Sequence, residues 1–194
     1  MLHDQFVVGV VQGGAGTSTN MNANEVITNR ALELAGHPKG DYGFINPNDH
    51  TNMSQSTNDT YPTAIKIALA FSLRSLLDEL QLLSDAFAAK GREFDHIIKV
   101  GRTQLQDAVP MTLGQEFTAF AVTLREDIER LDEAVALLAE VNMGATAIGT
   151  GINVPHRHRE PVVRQLRVNT GPPLVPAGHL VDSTTDTAVF ITTP

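Results

Sequence analysis

The sequence predicts a mainly α-helical fold built on two long helices that bundle with others. Three observations predict it. Two stretches of roughly 30 residues carry apolar side chains at steps of three and four, a polar Gly- and Asn-rich segment precedes them, and a Pro- and Gly-punctuated tail follows. With 194 residues, 42% of them hydrophobic and 19% charged, the chain is long enough to bury a core without disulfides or a structural metal. That composition excludes a disordered chain.

Taken in chain order, Met1–Val11 has neither a basic start nor a small-residue cleavage site. No stretch approaches the ~20 apolar residues that cross a bilayer, so membrane and secretory readings fall away. Gln12–Asn24 (QGGAGTSTNMNAN) combines glycines with hydroxyls and amides. Such a loop is able to aim N–H and O–H groups at an anion, and it equally suits an ordinary polar turn into a helix. No Gly-Lys-Ser/Thr follows and no βαβ pattern precedes it, which excludes a Walker loop and a dinucleotide fingerprint.

Asn46–Thr60 (NPNDHTNMSQSTNDT) is a dense run of neutral donors and acceptors just before the first long helix. Ser56, Thr57 and Asn58 fall near that helix's start. There, unpaired N–H groups favour a carboxylate or phosphate, although hydroxyls at a helix start also serve as caps. From Tyr61 to about Lys90 the apolar stripe runs through Ile65, Leu69, Ser72, Leu76, Leu80, Leu83 and Phe87, widened by Leu73 and Leu77.

Gly101–Met111 reads as a polar connection between the helices, with Arg102 either an anion clamp or a surface ion pair. The second stripe, Thr112 to about Asn142, runs through Leu113, Phe117, Phe120, Leu124, Ile128, Leu131, Val135, Leu138 and Val141. Thr112 and Gln115 match a capping box at its start. Gly144, Gly149 and Gly151 then read as a helix stop and permissive turn. Helices of ~30 residues are about 45 Å long, against a radius of gyration near 16 Å for a compact chain of this length. Such helices bury themselves along others, so a homo-oligomer is expected.

Fourteen Lys and Arg against 22 Asp and Glu give a net charge of −8, which repels nucleic acid and anionic membranes. Basic residues gather only from His156 to Arg167. The absence of cysteine excludes disulfides, Cys-zinc sites and thiol nucleophiles. His156 and His158 alternate with Arg157 and Arg159, which repel a cation, and His179 adds no ligand set; no metal site is expected. Nor is there a Gly-x-Ser-x-Gly elbow for a serine nucleophile.

Four segments in order, Gln12–Val26, Asn46–Ala64, Gly101–Phe117 (GRTQLQDAVPMTLGQEF) and Gly144–Asn153 (GATAIGTGIN), resemble the aspartase/fumarase superfamily. The likeness is to its ammonia-lyases. Class II fumarases carry His after Gly-Arg-Thr and Ser-Ser-Asn-Asp, where this chain has Gln104 and Ser56-Thr57-Asn58-Asp59. The resemblance implies a long-helix bundle. It also implies reversible elimination of ammonia from L-aspartate to fumarate through an enediolate, with no organic cofactor, in a homotetramer; the absence of cysteine suits a cytoplasmic protein. By that likeness Thr17, Ser56 and Thr57 hold the β-carboxylate, Asn58 the amino group, and Thr103 and Gln104 the other end of the substrate.

The family's catalytic serine lies on a Gly-Ser-Ser-x-Met-Pro-x-Lys-x-Asn loop that occurs nowhere in these 194 residues. The expectation is therefore an internal fragment, truncated at both ends and inactive alone. Residues 1–59 would be the end of an N-terminal domain and 60–194 the first part of the central bundle, with Ile191–Pro194 opening a further helix. His156–Val168 matches the family poorly. The alternatives are a fumarase-like hydratase and a non-catalytic helical assembly piece.

Overall fold

A computed structural model describes residues 2–12, 14–188 and 190. The architecture is mainly α, with α1 (Thr17–Leu34), α2 (Thr57–Glu93), α3 (Leu113–Leu138), α4 (Arg159–Thr170) and α5 (Leu180–Thr185). Strands are short: β1 (Ile98–Thr103) pairs antiparallel with β2 (Gln106–Thr112), and β3 (Glu140–Val141) pairs parallel with β4 (Val175–Pro176). Two compact units result, one running to Ala68 and resuming at Leu138, the other spanning Leu69–Leu137. The further helix expected at Ile191–Pro194 lies outside the described residues.

In the second unit, α2 and α3 run antiparallel, as the pairing order shows. The Ser84 hydroxyl donates to the Ala121 carbonyl at 3.0 Å. Further along α2, Phe87 meets Phe120 and Phe117 at centroid distances of 5.5 and 5.7 Å, and Phe94 meets Phe117 at 5.3 Å. The helices approach closest where glycine faces glycine. A Cβ on Gly114 would lie 2.4 Å from the Gly91 carbonyl oxygen, closer than any side chain tolerates.

Of the expected stripe on α3, Leu131 and Leu138 are buried, joined by Ala121 and Ala134, which lie outside it, whereas Phe120 is 46% exposed. On α2 it needs correction. The buried seam is Ala70, Leu73, Ser84 and Gly91, while Leu76 and Leu83 are 42% and 46% exposed. Small residues admit a close helix neighbour, so α3 packs on that line and not on the larger leucines beside it.

Two other expectations are corrected. Gly101–Met111 lies within a β-hairpin whose two-residue turn, Gln104-Leu105, has φ of 48° and 63°. Both turn residues are left-handed, the geometry of a tight hairpin, without the Asn-Gly that announces it in sequence. The second long helix ends at Leu138, short of Gly144, because Glu140 and Val141 leave it to pair with Val175 and Pro176. Its start is as anticipated: Thr112 N–H donates to Gln115 Oε1 and Gln115 N–H to Thr112 Oγ1, each at 3.0 Å.

The first unit has its core where β3 meets α4. Val141, Met143, Val163 and Leu174 are buried together, with Ile67, Val162 and Leu166 against them. Burial of each such side chain contributes about 1.5–3 kcal/mol. This core anchors the segment following α3 beside the start of α2.

Candidate active site

The start of α2 is locked by a reciprocal cap. Ser56 Oγ accepts the Asn58 N–H at 3.2 Å, while Asp59 Oδ1 accepts the Ser56 N–H at 3.0 Å. Asp59 is completely buried, and its Oδ2 accepts the Thr146 N–H at 2.9 Å. Burial pushes the Asp59 carboxyl above its usual value, against the opposing pull of the amides of Ser56, Thr146, Gly144 and Thr60.

Ahead of α2, a seam of amides and hydroxyls joins α1 to the chain after it. Asn46 caps a single π turn, Pro47–Thr51, accepting the N–H groups of Asn48 and Asp49. Asn20 Nδ2 donates to Thr57 Oγ1 at 3.0 Å and to Asn52 Oδ1 at 3.3 Å, and Asn20 Oδ1 accepts the Thr60 hydroxyl at 3.2 Å. Asn24 reaches the same Asn52 oxygen, and the hydroxyls of Thr28 and Thr51 meet at 2.6 Å. Gly16 admits this packing: at φ 85° it starts α1 with no side chain, and a Cβ there would lie 2.3 Å from the Tyr61 ring.

The chain after α3 closes over the start of α2. Asn58 Nδ2 donates to the Ala147 carbonyl at 2.7 Å, and Asn142 Nδ2 donates to the Asn58 carbonyl at 3.0 Å. Asn58, Tyr61, Ile65 and Lys66 line one side of a cavity of about 490 Å³ with Ala147 and Ile148. Lys66 is only 8% exposed and donates to the Glu140 carbonyl at 2.6 Å. Burial holds its pKa below the usual lysine value, while the charges of Glu140 and Asp186 pull it back.

Thr17, Ser56, Thr57 and Asn58 thus fall in the first unit and Thr103 and Gln104 in the exposed hairpin of the second. The Thr17 hydroxyl is engaged with the Gly14 carbonyl at 2.9 Å. Among the described residues, Ser56 and Thr57 each accept one bond with no partner taking their own O–H, and none takes the Asn58 side-chain carbonyl. Arg102 pairs with Asp107 at 3.1 Å in the open, the surface reading of that residue. Sequence reasoning missed Asn20, Asp59 and Asn142. The Ser56-x-x-Asp59 spacing was a signal for Asp59, since a carboxylate three residues after a serine cap closes the same box as Glu. Among the described residues no three His, Asp or Glu gather as a metal cage, and no helix is long and apolar enough to cross a membrane.

A family model described as Lyase matches residues 1–193. Proteins named aspartate ammonia-lyase from Pseudomonas canavaninivorans and Escherichia coli K12 are 59% and 54% identical over 190 and 188 residues. Each alignment covers 97% of this chain and 40% or 39% of the relative. A crystal structure of a fumarate lyase:delta crystallin from Brucella melitensis bound to cobalt superposes with a TM-score of 0.94 at 59% identity, over all of this chain and 42% of that one. A class II fumarase from Schistosoma mansoni superposes at 0.88 and 31% identity, over 98% and 43%. The chain therefore spans about 40% of the length of the curated relatives it matches. With the family model matched over residues 1–193 and the fold shared with solved lyases, the chain belongs to the lyase family, within its aspartase/fumarase group.

Proposed function

We propose that this chain supplies the carboxylate-binding part of an enzyme that eliminates ammonia from L-aspartate to give fumarate. The observation that carries the reading is the start of α2, where, among the described residues, no partner takes the O–H groups of Ser56 and Thr57 beside the helix's positive end. Taking the Cβ proton of aspartate builds charge on the neighbouring carboxylate. Preorganised neutral donors at a helix start lower the cost of that enediolate, which is why such a site needs hydroxyls more than a strong base. The Asn58 side-chain carbonyl suits the departing amino group. Thr17 belongs to the same reading through the loop it closes, and Thr103 and Gln104 hold the far end of the substrate in a neighbouring copy. Helix α2, at 37 residues about 55 Å long, separates these two sets along one chain.

The reading includes a homotetramer in the cytoplasm, with residues 1–59 and 60–194 as parts of an N-terminal and a central helical domain, and no organic cofactor. It also places the base on a Gly-Ser-Ser loop that these 194 residues do not contain, so this chain by itself should not turn over aspartate. The test follows fumarate absorbance in the full-length protein. Thr57→Ala and Asn58→Ala should each slow fumarate formation far more than they lower the melting temperature; unchanged kinetics contradict the assignment. Faster formation of malate than of aspartate from fumarate would favour a hydratase.

A further inference from the structure

Proline inside a helix removes a donor. The N–H of residue 62 would donate to the carbonyl of Asn58 four residues earlier, but residue 62 is proline, six positions into α2. That carbonyl accepts instead from the Asn142 side-chain amide at 3.0 Å, contributed 84 residues away in sequence. Asn142 is 2% exposed and also donates to Thr184 Oγ1 at 3.2 Å. Asn58 is therefore gripped twice from the chain following α3: its backbone by Asn142 and its side chain by the Ala147 carbonyl.

We propose that Asn142 is a positioning residue for the reaction, aligning Asn58 by replacing the hydrogen bond that Pro62 denies the helix. The proposal rests on the reading of Asn58 as the residue that receives the amino group. Its physical content is that one rung missing from the start of α2 is supplied by a distant side chain, while the Ser56 carbonyl keeps its own bond from the Thr60 N–H at 3.0 Å. The orientation of Asn58 thereby depends on how the Asn142–Asn153 segment docks. A half-buried carbonyl left without a donor would be satisfied by tilting the turn toward water, turning the Asn58 side chain with it.

The experiment is a rescue in the full-length enzyme. Asn142→Leu keeps the volume and removes the donor; Pro62→Ala restores a backbone N–H to the same carbonyl, which has lone pairs for both donors. Asn142→Leu should lower kcat for ammonia elimination about tenfold, the equivalent of about one hydrogen bond, with a smaller change in KM. Pro62→Ala alone should stay near wild type, and Asn142→Leu/Pro62→Ala should regain most of the lost kcat. A double variant that recovers thermal stability but none of the rate overturns the positioning role. So does a wild-type rate in Asn142→Leu when Asn58→Ala is slow. Wild-type kinetics in Asn58→Ala overturn the site reading beneath it.

Discussion

Asp59 Oδ2 and the Thr146 N–H meet at 2.9 Å across 87 residues, joining a buried carboxylate at the start of α2 to a turn beyond α3. Thr146 has φ 58°, so its amide is held in a left-handed turn aimed at that oxygen. The other carboxylate oxygen closes the Ser56 cap. One side chain therefore sets both the first turn of the helix and the docking of the segment that grips Asn58.

Asp59→Ala should destabilise the protein by roughly 2 kcal/mol, because the buried Thr146 N–H and the half-buried Ser56 N–H both lose their acceptor. Chemical denaturation of the variant beside wild type measures it. A change below a few tenths of a kcal/mol would show that water replaces the carboxylate.

The pH dependence of the same residue has a definite sign. Burial raises its folded-state pKa above the ordinary aspartate value of 3.8, so the folded protein holds the proton more tightly than the unfolded chain. The stability this contributes is fully present below 3.8 and is lost as pH rises through the higher folded-state value. The margin of wild type over Asp59→Asn should accordingly shrink as pH increases across that window. Melting temperatures of both proteins over a pH series are the check, and a margin that widens contradicts it.

Gly114→Ala should loosen the α2–α3 pair, since its methyl would meet the Gly91 carbonyl and the Asp95 backbone at 2.4–2.5 Å. Overpacking of this kind costs about 1–3 kcal/mol. Thermal unfolding reads the loss, and the expected structural signature is altered packing of the Phe87, Phe117 and Phe94 rings.

Leu105→Gly should do the opposite. Leu105 is 99% exposed at φ 63°, where a leucine has little to gain from contacts and pays for its Cβ. Relief of the left-handed conformation is worth about 1 kcal/mol, less the greater freedom that glycine has in the unfolded chain. Hydrogen exchange at the β1–β2 amides should slow in the variant if the strain account holds; faster exchange would oppose it.

Several features were legible in the residues themselves because they depend on neighbours in sequence. The long helices follow from apolar steps of three and four, and the start of α3 from Thr112 and Gln115, three residues apart and able to cap each other with no outside help. Ser56, Thr57 and Asn58 were placed at the start of α2 by the same local reasoning. The face of α2 that is buried was not legible, because leucines flank the seam on both sides and the close approach of α3 at Ser84 and Gly91 selects it. The hairpin was hidden for a related reason: its strands are largely exposed, so no alternation marks them, and its turn uses Gln104 and Leu105 in place of glycine. The decisive contacts of the candidate site, Asn142 with Asn58 and Asp59 with Thr146, join residues more than 80 positions apart. Local propensity carries no information about such pairs; only the docking of the segment after α3 against the start of α2 decides that a proline's missing bond and a buried carboxylate are both satisfied there.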